Sequence, residues 1–129
     1  MKSKLQKKLW KLCSEYIKKR DGNQCFVCGK EIKVGKARHV GHLIPSKTCG
    51  FNLRFDEDNL AVSCYYCNIN LGGFGAMYYK KKVEKYGQQF VDNIFRKYEE
   101  HLLNKEKWKD QDYINKIEYY KEKLKNLIF

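Results

Sequence analysis

Acidic residues, histidine and proline are scarce in this chain, and long apolar runs are absent. There is no stretch of about 18 apolar residues, no secretory h-region and no lipidation signal, so the expectation is a cytoplasmic protein with no membrane partner. No internal repeat or low-complexity block is found. The glycines at 72, 73 and 75 are too irregular for a phosphate-binding loop of Walker type. At 129 residues the chain can bury one core but hardly two, so a single compact domain is expected.

The shortage of acid is matched by an excess of base. Lysine and arginine number 27 against 15 aspartates and glutamates, a formal charge of +12. A polyanion is the natural partner of so basic a chain, and the lack of membrane signals favours nucleic acid.

Histidine and proline are not only rare but concentrated. Residues 37–68, "ARHVGHLIPSKTCGFNLRFDEDNLAVSCYYCN", hold two of three histidines, the only proline and three of six cysteines. In a reducing compartment, paired cysteines more often hold metal than each other. The pairs are Cys25-Phe-Val-Cys28 and Cys64-Tyr-Tyr-Cys67. Each two-residue gap lets one tight turn aim both sulfurs at a single tetrahedral Zn2+, and the long segment between the knuckles is an insertion. Cys13 falls on the apolar face of a predicted helix as core filling, while Cys49 sits in a glycine-bounded loop with no evident partner.

Along the chain, Leu5, Leu9, Leu12, Cys13, Tyr16 and Ile17 recur at helical spacing over 3–20, with lysines on the opposite face. Asp21-Gly22-Asn23 ends that helix. Residues 31–44 read as two short strands joined at Gly35-Lys36, and 45–58 as a loop. Leu60-Ala61-Val62-Ser63 then leads to the second knuckle, and a short helix begins near Cys67 and ends by Gly72-Gly73. Three more helices are predicted over about 76–86, 88–103 and 110–127. Asp110 is the expected N-cap of the last, and Tyr113, Ile114, Ile117, Tyr120, Leu124 and Leu127 form its apolar stripe.

The order of zinc knuckle, two strands, His42, loop, Asn59, second knuckle and Asn68 resembles the ββα-metal, or HNH, nucleases. With a four-cysteine zinc and asparagine directly after the last cysteine, it is similar to the phage endonuclease VII type of junction resolvase. A longer match lies in "YIKKRDGNQCFVCGK", "GHLIPS", "LRFDEDNL", "CYYCN" and "KYGQQFVDNI", which resemble the nuclease region of the lambdoid phage NinG (Rap) recombination proteins. The resemblance implies an α+β fold. Residues 1–75 would form a basic helix and a zinc-stapled HNH core, and 76–129 a helical extension packed on the core or on a partner subunit. It also implies a metal-dependent endonuclease cutting branched DNA such as Holliday junctions in a bacterial host cell, and a homodimer would suit a substrate with two symmetric strands. Residue by residue, His42 would be the general base, Asn59 would orient its ring, and Cys25, Cys28, Cys64 and Cys67 would bind structural zinc. Asn68 would bind the catalytic Mg2+ or Mn2+.

That chemistry suits the residues. A neutral histidine takes a proton from water at physiological pH, and a hard divalent ion absorbs charge on the phosphorane and the leaving oxygen. Lys18, Lys19, Arg20, Lys36, Arg38, Lys47 and Arg54 are the candidate phosphate contacts. This chain departs from the family pattern at three places. Gly41 stands where many HNH enzymes have aspartate or histidine, with His39, Asp56, Glu57 or Asp58 as replacement ligands and Asp56 first among them. Asn68 stands where histidine is common, and Phe74 where NinG-like proteins tend to have asparagine. His39, three residues before His42, should face the other side of its strand. His101 is expected to be solvated. A zinc-stabilised DNA- or RNA-binding module without hydrolysis, or a general nicking HNH enzyme, are the alternative readings.

Overall fold

The computed structural model describes residues 2–70, 72, 75–105 and 107–127. Helix α1 spans Lys2–Asp21. Its apolar repeat works as predicted: Leu9, Cys13 and Ile17 are fully buried, and the lysines Lys4, Lys7, Lys8, Lys11 and Lys19 stay exposed.

The predicted 31–44 hairpin does not form. Strand β1 is His39–His42, and its partner is β2, Leu60–Ser63, with His39 opposite Ser63 and His42 opposite Leu60 in antiparallel register. The segment before β1 contributes a single bridge, Glu31 to Gln24. Burial explains the choice. Residues 31–34 can bury only Ile32, with Val34 fully exposed, whereas every residue of Leu60–Ser63 is buried. The apolar segment read as a lead-in to the knuckle is therefore the second strand of the sheet, buried on both faces.

Between the strands lie the short helix α2, Gly50–Arg54, and a 3-10 turn, Glu57–Asn59. Gly50 has φ +84°, and a side chain there would collide with the His101 ring. His101 is thus half-buried against the loop instead of solvated. A π-helical turn, Tyr66–Asn70, follows the second knuckle.

Helices α3 (Gly75–Tyr86), α4 (Gln88–Asn104) and α5 (Asp110–Asn126) complete the chain. Helix α5 lies along α1: Gln6 bonds the Tyr113 hydroxyl at 3.0 Å, the Tyr16 and Tyr120 rings are 5.8 Å apart, and the Tyr120 hydroxyl donates to the Phe55 carbonyl. Tyr113, Ile117 and Tyr120 of the predicted stripe are buried, but Ile114 is not. Asp110 is the first helical residue and not the cap. The cap is one residue earlier, at Lys109, whose N–H donates to the Asp112 carboxylate at 2.7 Å. Among the described residues no helix is long and apolar enough to cross a membrane.

Candidate functional site

The two knuckles meet. The sulfurs of Cys25, Cys28, Cys64 and Cys67 all lie within 4.8 Å of one another, and Cys28 and Cys64 are 3.9 Å apart. Tetrahedral Zn–S bonds of 2.3 Å require sulfurs roughly 3.8 Å apart, so the four thiols fit zinc. The sheet brings them together: Phe26 N–H donates to the Val62 carbonyl at 2.9 Å, hanging the first knuckle on β2, while Cys64 follows directly from that strand. Burial pushes the Cys28 thiol up, and that of Cys67 likewise. At Cys25 burial acts the same way, but backbone N–H donors from Cys28, Cys64 and Val27 outweigh it and hold the thiol below its ordinary value. A divalent cation is the agent that would ionise all four.

His42 closes β1. Its Nε2 lies 2.9 Å from the Arg54 carbonyl. A carbonyl only accepts, so Nε2 carries the hydrogen and Nδ1 of the neutral ring keeps its lone pair. Burial lowers the imidazole below its ordinary value of 6.5; the Arg54 charge adds to this, and the hydrogen bond to the Arg54 carbonyl opposes it. The Trp10 indole stacks on the ring, centroids 5.3 Å apart and planes 15° from parallel. An open pocket of about 330 Å³ adjoins it, lined by Gln6, Lys7, Trp10, Ser46, Arg54 and Phe55.

Asn59 does not orient the His42 ring. Its side chain is fully buried; Oδ1 accepts from Ile44 N–H at 2.8 Å, and Nδ2 donates to the Ile44 and Leu53 carbonyls at 3.1 Å each. It ties the chain after β1 to the end of α2, and so fixes the carbonyl of the next residue, Arg54, that holds His42. The expected role is divided between a clamp and a carbonyl.

The register places His39 and Gly41 on the opposite face of β1 from His42, with Ser63 directly across from His39. Asn68 is on that second face: a β-carbon at Gly41 would sit 3.2 Å from both Asn68 Oδ1 and Ser63 Oγ. The Tyr78 hydroxyl fastens the strand there by donating to the Gly41 carbonyl at 2.8 Å. His42 and Asn68 thus flank the end of one strand from its two sides.

Asp56 is committed elsewhere. One carboxylate oxygen caps the Asp58 N–H at 2.9 Å and the other pairs with Lys97 at 2.6 Å, which makes it a loop anchor instead of a replacement metal ligand. Residues 1–128 match the family described as Bacteriophage Lambda NinG protein. The chain belongs to the NinG family. No curated protein and no solved structure matches it.

The candidate phosphate contacts of this NinG family member fall into two groups. Arg20 bonds Asp21 and the carbonyls of Glu57 and Leu60, and Arg38 caps α1 through the carbonyls of Lys18 and Gly22. Both guanidinium groups act as structural staples in the fold. Lys19, Lys36 and Lys47 are exposed, Lys18 and Arg54 half-buried, and Arg54 borders the His42 pocket. Phe74 lies outside the described residues. Sequence reading missed Trp10 and Ser63. Ser63 left a trace as the only polar residue in Leu60–Ser63, and Trp10 left none beyond its helical position.

Proposed function

We propose that this protein is a metal-dependent endonuclease of the HNH kind, hydrolysing phosphodiester bonds in DNA with preference for branched recombination intermediates such as Holliday junctions. The observation that carries this reading is His42: a neutral imidazole with its Nε2–H tied to a carbonyl and Nδ1 left to accept a proton, at the end of a strand whose other face meets Asn68. The order β1, clamped loop, β2 and zinc-anchored turn supports it as the ββα arrangement.

His42 takes the proton from an attacking water. Asn68, fixed by its own N–H to the Cys64 carbonyl at 3.0 Å, offers Oδ1 to a hard cation at the cradle over Gly41. Bound there, Mg2+ or Mn2+ would neutralise charge on the phosphorane and the leaving oxygen. Lys7 and Arg54 beside the His42 pocket, with Lys18, Lys19, Lys36 and Lys47, bring in the backbone without reading bases. A four-way junction presents two strands related by symmetry, which a homodimer would cut in concert.

The test is cleavage of a labelled four-way junction beside a linear duplex of the same sequence, with Mg2+ or Mn2+ and with EDTA, for wild type and His42→Ala. Cutting confined to the junction and abolished by EDTA and by the substitution supports the reading in full. Equal cutting of both substrates keeps the nuclease and ends the junction preference. Tight binding with no cutting in any metal leaves a zinc-stabilised DNA-binding module.

A further inference from the structure

We propose that His39 Nε2 and Ser63 Oγ join Asn68 Oδ1 as this protein's donors to a divalent cation above Gly41, in place of a carboxylate. The inference rests on the nuclease reading and names residues which that reading leaves without work. Ser63 is 2% exposed, and its Oγ is buried with no hydrogen-bond partner among the described residues; His39 Nε2 is in the same condition. A buried polar atom is costly when nothing meets it, so two on neighbouring strand positions point to a shared occupant.

The geometry points to the same space. His39 and Ser63 are directly paired across the strands and therefore share a face, with Gly41 two residues along that face. A β-carbon on Gly41 would be 3.2 Å from both Ser63 Oγ and Asn68 Oδ1, so glycine keeps open the cradle that any other residue would fill. Aspartate at this position would compete with the two oxygens for the same volume. The two neutral oxygens and one imidazole nitrogen make a weak site, one that recruits its ion together with a DNA phosphate. The nitrogen favours a transition ion such as Mn2+ over Mg2+.

The test uses zinc-loaded protein with 15N-labelled histidine, a short-armed four-way DNA junction and Mn2+, read by pulsed electron paramagnetic resonance of frozen samples and by Mn2+ titration. The expected result is a 15N coupling to Mn2+ in wild type and in His42→Ala that disappears in His39→Ala. Mn2+ affinity should fall at least tenfold in His39→Ala, in Ser63→Ala and in Gly41→Ala, whose methyl group fills the cradle. Zinc content and circular dichroism of each variant check that the fold is intact. A coupling that survives in His39→Ala overturns the proposal, as does wild-type Mn2+ with no histidine nitrogen. A bound water between His39 and Ser63 would give that second result. Cleavage on the same samples separates the two readings: cutting without the coupling keeps the nuclease and removes this site, and the coupling without cutting keeps the site and removes the nuclease.

Discussion

Lys82 is a buried basic side chain, and its replacement offers a quantitative test. It is fully buried on α3, with Nζ 3.2 Å from the Leu60 carbonyl and within 6.0 Å of the ring centroids of Phe26, Tyr78, Tyr86 and Phe90. Burial is the main cause lowering its pKa, from 10.5 to about 7. A group whose folded pKa is depressed in this direction binds its proton more readily when unfolded. Stability therefore rises with pH between about 7 and 10.5, and the full penalty stands below 7. At 1.36 kcal/mol per unit, the penalty at pH 7 is about 4 kcal/mol. The aromatic box returns part of it, at about 0.5–2 kcal/mol for a cation over a ring. Lys82→Met keeps the length and removes the charge, and the Leu60 carbonyl retains its 2.7 Å bond from Arg20. Urea unfolding of zinc-loaded protein at pH 7, 8, 9 and 10 should find the variant about 2–3 kcal/mol more stable at pH 7, with the advantage shrinking toward pH 10. Taking the difference between the two proteins cancels the tyrosines and cysteines, which titrate in both. A variant less stable at pH 7, or a difference that does not change with pH, would refute the account.

His42→Ala should lower cleavage by about 10²–10⁴. In wild type, log(kcat/KM) should rise with pH to a plateau whose midpoint lies below 6.5, since burial lowers the imidazole pKa and the base works only when neutral; a midpoint above 7 would exclude it. Asn59→Ala leaves three backbone partners unpaired at about 1–3 kcal/mol each and should cost about 3–5 kcal/mol in chemical denaturation, with loss of cleavage as Arg54 shifts. Cys64→Ser should abolish zinc in atomic absorption and lower Tm by more than any single surface substitution, because that thiol joins β2 to the turn bearing Asn68. Tyr78→Phe should cost about 1 kcal/mol through the bond to the Gly41 carbonyl, read as a shift in Cm.

Cysteine spacing was the most legible feature. Two C-x-x-C pairs far apart in sequence meet in space because a tight turn sets each pair and the sulfurs have one geometry to satisfy. The helical periods were legible for a similar reason, as α1 and α5 show. Strand partners were not. Nothing in "EIKVGK" distinguishes an exposed turn from an edge strand until Leu60–Ser63 is known to be buried on both faces, and that depends on α1, α3 and the knuckles packing around it. Arginine roles were equally hidden. The charge of Arg20 and Arg38 marks them for phosphate, but Arg38 meets unpaired carbonyls at the end of α1, and Arg20 meets Asp21 and the carbonyls of Glu57 and Leu60.

Asn59 shows why a residue can be singled out correctly and its contact misjudged. A buried asparagine carries one acceptor and two donors that must all be met, and here three backbone groups meet them. Both of its donors are spent on carbonyls, and the His42 N–H goes to the Arg54 carbonyl and not to Asn59 Oδ1. Its effect on that ring passes through Leu53 and the following carbonyl, so side-chain identity at 59 acts on the imidazole through backbone position. Substitutions that preserve the two donors and the acceptor in the same place are then the only tolerated ones. Asn59→Asp, which keeps the shape but turns the donor toward the Ile44 and Leu53 carbonyls into an acceptor, should disturb His42 as much as Ala does. A direct side-chain contact to the imidazole would predict the reverse, since a carboxylate holds a histidine N–H more strongly than an amide carbonyl does.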